Sequence, residues 1–564
     1  MISISGKKWT EIKVNKNLIE KVNQDFNFGQ LVSKLIVSRN FDLQEIYSIR
    51  NEIKINNEFN NTDDFVKATD ILINSIKNKE NICILGDYDV DGIVSTSILV
   101  RFFDYIKQPY FYYIPDRIKD GYGATKKLFE KLILKKPNLI IMVDCGSNSN
   151  NAIDFLNQNK IKSIVIDHHE INKPYPKSNI IINPKKNSDY NKYNYLCASA
   201  LTYFFLEIII KKTKSNFKLN NLLIYVFLAS ITDVMPIRKI NRLIGLKLIS
   251  NFKIKENIVF DTIYKLSKKN NNFSSDDLGY FIGPIINSCG RLGKSSHGVE
   301  LLSSNNLSII KNISNHLIKL NNKRKEIENN ILKEVNFEKI QNQNKNIIIY
   351  YKPNINEGLI GIIAARIKDY FHKPTIVITN SKNLLKASAR SMPNYNIGHV
   401  IKILIDKKII INGGGHNMAA GFTMHKRNIK ILENYLMKDF EKKNINLNYL
   451  STYDFQISSS AINKKLFNEI KELEPFGAGN LLPTFFIKDL KIIKKLVIKN
   501  KHISAILKPK QGTSIKSICF NSLNTKIGEY LLSYKKSINV IGQIYENDWN
   551  NKKNIQLIIN DILL

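Results

Sequence analysis

The chain has 564 residues, with 84 Lys and Arg against 49 Asp and Glu, and a formal charge of +35. That length exceeds what one hydrophobic core organises, so three or four domains are expected, and 43% hydrophobic with 10% aromatic residues excludes wholesale disorder. Five cysteines without a CxxC pair argue against a disulfide framework and for a reduced, cytoplasmic setting.

Met1 to Trp9 lack the apolar centre of a signal peptide. The longest apolar stretch, 200–210, carries Glu207 and falls short of the about 20 residues that span a bilayer, so no membrane partner is expected. The charge is the footprint of a polyanion binder. Lys, Asn and Ile are nevertheless in excess throughout, as AT-rich coding produces, so the placement of charge counts for more than its sum.

Residues 1–75 read as a helical lead-in without motifs. Between 76 and 265, short apolar runs alternate with helical patterns: strands at 82–85, 110–114, 139–143 and 163–166, and helices near 93–105 and 124–134. This alternation predicts a parallel sheet with right-handed crossovers, followed by a mostly helical stretch from 197. Residues 266–340 form a helical connector. Within it, Ile310, Ile313, Leu317, Leu320, Ile327, Ile331 and Val335 recur at helical spacing, predicting one helix over 306–339 about 50 Å long that rigidly joins two lobes. Residues 341–428 form a second α/β unit, with strands at 346–350 and 375–379, a helix from Ile360, and a glycine turn, Gly413-Gly414-Gly415-His416, that opens a short helix. Residues 450–564 switch to short strands between Lys/Asn/Gly turns, such as Lys499-Asn500-Lys501 before 502–507, and predict a small β-barrel. The fold class is thus α/β, with a parallel-sheet domain, a long connector helix, a second α/β domain and a barrel of the oligonucleotide-binding type.

The chemistry sits at strand ends. The first run ends in Asp87-Tyr88-Asp89-Val90-Asp91-Gly92, the third in Asp144-Cys145-Gly146, the fourth in Asp167-His168-His169, and Asp233 follows the apolar run Leu228-Ala229-Ser230-Ile231-Thr232. Ligands of open α/β sheets bind outside the carboxyl ends of the strands, so these carboxylates and imidazoles converge on one crevice, as a divalent metal pair requires. A calcium loop is excluded, because the twelfth position counted from Asp87, Asp89 or Asp91 is Ile98, Val100 or Phe102 rather than Glu. Neighbouring strand residues face opposite sides, so one histidine can bind metal while the other faces substrate. The glycines before His416 let backbone N–H groups approach a phosphate. Lys interleaves with Phe485, Phe486, Phe520, Tyr530, Tyr534, Tyr545 and Trp549 in the tail; a minority of these are expected to stack on bases, the rest to be core.

These four motifs, in this order, resemble those of the DHH phosphoesterase superfamily. Gly414-Gly415-His416-Asn417-Met418-Ala419-Ala420-Gly421 is similar to the glycine motif of the DHH-associated domain, and Leu473-Glu474-Pro475-Phe476-Gly477-Ala478-Gly479-Asn480 with the β-rich tail is similar to the end of the superfamily's single-strand-specific exonucleases. The resemblance spans roughly 80–564. It implies two manganese or magnesium ions bridged by Asp144, one held by Asp89 with Asp87, the other by Asp91, His168 and Asp233, with Asp87 and His169 also serving catalysis. It implies nucleic-acid contacts from Gly414, Gly415, His416, Arg390, Arg291 and Arg117. Two segments depart from the family pattern: Pro284-Ile285-Ile286-Asn287, where Arg usually follows the proline, and Ile355-Asn356-Glu357-Gly358, where Trp-His usually precedes the acidic residue. Neither touches the metal ligands.

The implied activity is 5′→3′ hydrolysis of single-stranded DNA in repair and recombination. The implied partners are single-stranded DNA, a single-strand-binding protein and a helicase, with the enzyme a monomer. Two alternatives remain open at this point. An oligoribonucleotide or cyclic-dinucleotide phosphodiesterase would not need the barrel, and a catalytically inactive scaffold would not need intact carboxylates at 89, 91, 144 and 233.

Overall fold

The computed structural model describes residues 3–117, 120–121, 123–269, 273–443, 445, 450–533, 536–549 and 552–563. The chain divides into two compact units, one of residues 55–236 and 247–447, the other of 1–54, 237–246 and 448–564.

The first unit is built on five parallel strands, β1 (Ile82–Gly86), β2 (Tyr110–Tyr113), β3 (Leu139–Val143), β4 (Lys162–Ile166) and β5 (Ile180–Ile182), in the order β2-β1-β3-β4-β5. Every residue of β1 and β3 is buried, which is why these runs are continuously apolar, Ile-Cys-Ile-Leu-Gly and Leu-Ile-Ile-Met-Val, rather than alternating. The strand order reverses between β1 and β3, and at such a switch point the flanking crossovers leave on opposite faces and open a crevice. Helix α1 (Val90–Ile106) follows β1, and helix α2 (Asn150–Gln158) follows β3. Helices α3 (Ala198–Thr213) and α4 (Leu223–Thr232) are almost wholly buried against α1.

The predicted connector is shorter than expected. Helix α5 runs over Leu307–Glu334 and stops where Val335 becomes extended; a separate short helix follows at Phe337–Asn342. Asn336 caps that second helix by accepting from the Lys339 N–H, so a competing cap breaks the periodic pattern. Ile310, Ile313, Leu317 and Ile331 are buried, making α5 a packed element rather than a free spacer.

The second α/β part of this unit is a mixed sheet of β6 (Ile348–Tyr351), β7 (Thr375–Ser381), β8 (Leu384–Arg390), β9 (Asn412–His416) and β10 (Ala419–Met424), in the order β9-β10-β8-β7-β6. The glycine motif therefore does not open a helix. It forms the edge strand β9, antiparallel to β10 with Gly414 opposite Gly421. Its residues have no apolar helical period, and close packing demands glycine: a Cβ on Gly415 would lie 2.5 Å from the Ala420 Cα.

In the other unit, strands Thr484–Ile498, His502–Pro509, Ile515–Cys519, Lys552–Leu563 and Ile538–Trp549 pair in that order, and the last closes back on the first. One contact, Ser517 opposite Leu557, is parallel and the other barrel pairings are antiparallel. Closure removes the sheet edges. Phe485 and Phe486 are fully buried core, whereas Phe520 and Tyr545 are exposed. Tyr534 and the side chain of Trp549 lie outside the described residues.

The N-terminal residues are not a simple helical lead-in. Strand Lys8–Glu11 pairs in parallel with Leu450–Tyr453. Arg238 grips Glu45 through two 2.6 Å bonds, and fully buried Arg242 donates to the Leu473 carbonyl at 2.8 Å. Asn480 donates to the carbonyls of Leu473 and Pro475, so the Leu473–Asn480 motif is a structural turn.

Candidate metal centre

The crevice is assembled from four strand or helix ends. Asp87 leaves β1 buried, while Asp89 caps α1 by accepting from the N–H groups of Asp91 (3.0 Å) and Gly92 (3.2 Å). The turn is tight enough that a Cβ on Gly92 would lie 2.4 Å from the Asp87 carbonyl oxygen, so only glycine fits. Asp144 leaves β3 with φ +60°, a left-handed conformation that Asp tolerates better than branched residues do. Its N–H is tied to the Ile166 carbonyl at 2.9 Å. His168 and His169 leave β4, and Asp233 ends α4.

These groups meet. The His168 Nε2 lies 3.3 Å from Asp144 Oδ1, 3.3 Å from Asp233 Oδ2 and 3.7 Å from Asp91 Oδ2. Three sets of potential ligand atoms each fall within 4.8 Å of one another: Asp87, Asp89 and Asp144; Asp91, His168 and Asp233; and Asp144, His168 and His169. Asp144 is common to the first and third sets, and His168 joins the third to the second. Both Asp144 carboxylate oxygens, Asp87 Oδ1 and His168 Nε2 are buried without a hydrogen-bond partner. Buried polar atoms are ordinarily paired. Orphaned acceptors converging from these three residues, with Asp89, Asp91 and Asp233 beside them, fit divalent cations held by oxygen and imidazole.

The electrostatics agree. Burial, then the neighbouring carboxylates of Asp91, Asp89, Asp87 and Asp233, hold the Asp144 carboxyl well above the usual range. Burial and Asp89 push Asp87 up to about 8. Asp91 and Asp233 are raised first by burial, too. Burial, then His169, lowers His168 to about 3, which keeps its imidazole neutral and able to donate a lone pair.

His169 is set up differently. Asp167, fully buried, accepts from the N–H groups of Ser147, His168 and His169 and lies 2.8 Å from His169 Nδ1. Burial opposes the charge on His169, but Asp167 overrides it and raises the ring to about 10. His169 therefore presents a cation whose ring stacks at 5.8 Å on His416 of β9. The sheet edge carrying Gly414 and Gly415 is thereby beside the crevice.

Of the predicted basic contacts, Arg117 lies over the Tyr88 ring at 5.0 Å; Ile118, Lys119 and Tyr122 of its loop are outside the described residues. Arg291 donates to the Gly358 carbonyl at 3.1 Å. Its guanidinium is lowered to about 10 by burial and by the repulsion of Arg117, Arg324 and Arg390, with Asp89 opposing the shift, so these cations crowd one region beside Asp89. Of the two departures, Ile285 is buried in a helix, and Asn356 accepts from the Gly358 N–H at 2.8 Å as a turn residue. The sequence reading missed the groups that hold the ligands in place: Ser147, Asn183, which donates to the Ser147 hydroxyl and the His169 carbonyl, and Ser199. No local pattern marks them, because each acts across many residues of sequence.

Comparison with known proteins follows this geometry. Residues 81–231 match the DHH family, N-terminal domain, 344–439 the DHHA1 domain, and 453–561 the RecJ OB domain. The chain thus carries a DHH-family N-terminal domain, a DHHA1 domain and a RecJ OB domain. It is 29% identical over 532 residues to the single-stranded-DNA-specific exonuclease RecJ of Haemophilus influenzae, covering 88% of this chain and 90% of that one. It is 24% identical to the protein of the same name from Bacillus subtilis, covering 99% and 71%. A crystal structure of RecJ with Mn2+ from Thermus thermophilus superposes with a TM-score of 0.82 at 18% identity, covering 99% of this chain and 79% of that one. This chain thus shares the fold of that structure over 99% of its own length and 79% of the other's.

Proposed function

We propose that this chain is a metal-dependent exonuclease that hydrolyses single-stranded DNA from a 5′ end, using two Mn2+ or Mg2+ ions. The observation that carries the reading is the convergence of the buried, unpaired Asp144 carboxylate and the Asp233 carboxylate on a neutral His168. Asp144 would be shared by both ions, with Asp87 and Asp89 holding one and Asp91, His168 and Asp233 holding the other. Bound divalent cations would supply charge neutralisation at the scissile phosphate and activation of a water. The protein groups act around them. His169, held cationic by Asp167, faces the phosphate oxygens and can donate a proton to a leaving oxygen. The free edge of β9 offers backbone N–H groups to the strand, and Arg117, Arg291 and Arg390 receive phosphate charge.

The substrate follows the named activity of the relatives and manganese the Mn2+-bound RecJ structure, while the 5′ polarity rests on the resemblance of the motifs to the superfamily's single-strand-specific exonucleases. A single-strand-binding protein and a helicase as partners, and a monomeric state, extend the same family reading. The test is digestion of 5′- and 3′-labelled single strands and blunt duplex with Mn2+ or Mg2+. Mononucleotide release from the 5′ end of single strands is expected. Equal attack on blunt duplex refutes the substrate, and preferential attack from the 3′ end refutes the polarity.

A further inference from the structure

Asp91 is anchored from a distant part of the chain. Its carboxylate accepts from the N–H groups of Ala198 (2.7 Å) and Ser199 (2.9 Å) and from the Ser199 hydroxyl. These are first-turn groups of α3, whose N-cap residue, Cys197, makes no side-chain cap. A helix leaves its first N–H groups unpaired and favours negative charge beside them. Asp91 supplies both the acceptor and the charge from 107 residues away in sequence. Ser199 Oγ also lies 3.0 Å from Ser95 Oγ, and both residues have no exposed surface. A single hydroxyl proton cannot serve two acceptors. With Ser95 donating to Ser199, the Ser199 proton is directed to the Asp91 carboxylate, its shortest contact.

Resting on the reading of Asp91 as a metal ligand, we propose that Ser199 is a positioning residue for the ion held by Asp91, His168 and Asp233. Its hydroxyl and the α3 amides fix the rotation of the Asp91 carboxylate. The lone pairs they leave free then face His168 and Asp233 before any ion arrives. Without the hydroxyl, the backbone amides remain but one oxygen loses its lateral restraint, and the carboxylate can turn away. Such outer contacts typically change metal affinity by about 10–100-fold. The ion held by Asp87 and Asp89 has no contact with Ser199 and is unaffected.

The test is Mn2+ titration of the full-length, metal-stripped protein, with free Mn2+ read by electron paramagnetic resonance. Wild type, Asp91→Asn, Ser199→Ala and Ser199→Cys are compared, and melting is recorded in EDTA and in Mn2+. Wild type is expected to bind two ions and Asp91→Asn to lose one. Ser199→Ala should bind one ion normally and the other about 10–100-fold more weakly, with near-wild-type melting in EDTA and a smaller rise on adding Mn2+. Ser199→Cys, a weaker donor of similar size, should fall between. Two ions retained by Asp91→Asn, or fewer than two in wild type, would overturn the ligand reading itself. If those two proteins behave as expected but the Ser199 variants bind both ions normally, the positioning role is wrong. Equal weakening of both ions with lower melting in EDTA also overturns it, since Ser199 would then merely support the fold. Should Ser199→Ala fail to fold, Ser199→Cys decides by the same criteria.

Discussion

Replacing Asp144 with Asn should raise the stability of the metal-free protein while abolishing its activity. The side chain is 1% exposed, neither oxygen has a hydrogen-bond partner, and four further carboxylates act on it. Two unit charges 4 Å apart repel by about 4 kcal/mol at an effective dielectric constant of 20. An unpartnered buried amide returns about 1–3 kcal/mol of that as cost. The net gain is about 1–3 kcal/mol, a rise of a few degrees in melting temperature. The gain depends on pH with a definite sign. The folded Asp144 carboxyl titrates well above its unfolded value, so its contribution to stability is fully present below the unfolded value of about 3.9 and is lost as pH rises through the folded value. The variant should therefore exceed wild type at pH 8 and differ little at pH 4. Activity should fall by about 10²- to 10³-fold, because a preorganised charge lost at a reacting phosphate costs about 3–4 kcal/mol. The assay is thermal melting in EDTA at the two pH values, paired with single-strand digestion in Mn2+. A variant less stable than wild type at pH 8 in EDTA, or one with activity within tenfold of wild type, would refute the reasoning.

Three further outcomes are expected. Because Asp87, Asp91, Asp144 and Asp233 are all raised in the metal-free protein, Mn2+ should raise the melting temperature more at pH 8 than at pH 5, where protons compete for the same oxygens; an equal rise at both would place the ions elsewhere. Asp167→Asn should drop His169 from about 10 towards its ordinary value, so that the stabilisation His169 gives wild type below pH about 6.5, lost as pH rises through about 10, is absent from the variant at every pH; imidazole resonances in a pH titration report this, and an unshifted ring would disconnect the pair. Phe520→Ala with Tyr545→Ala, both exposed on the barrel, should weaken binding of long single strands by about 1–3 kcal/mol per stacked base and leave cleavage of very short oligonucleotides intact, as fluorescence anisotropy and end-label release would show.

Much of this protein was readable before any coordinates. β1, β3 and β4 are continuous apolar runs, and a strand buried on both faces has no other composition open to it. Such strands also fix where their ends lie, so Asp87, Asp144 and His168 could be assigned to one crevice from local sequence. Contacts between distant segments were not readable. The hold of Ala198 and Ser199 on Asp91 spans more than a hundred residues. The pairing of Lys8–Glu11 with Leu450–Tyr453 joins segments far apart in the chain, and neither contact leaves a periodic trace. Gly413–His416 suggested a helix start because glycine runs carry no period of their own, and only the packing against Ala420 and Phe422 made them an edge strand. Local composition dictated which residues could be strands, caps and ligands. Tertiary packing decided which distant hydroxyls and amides orient those ligands, because a hydrogen bond records the meeting of two segments in space and not their order in the chain.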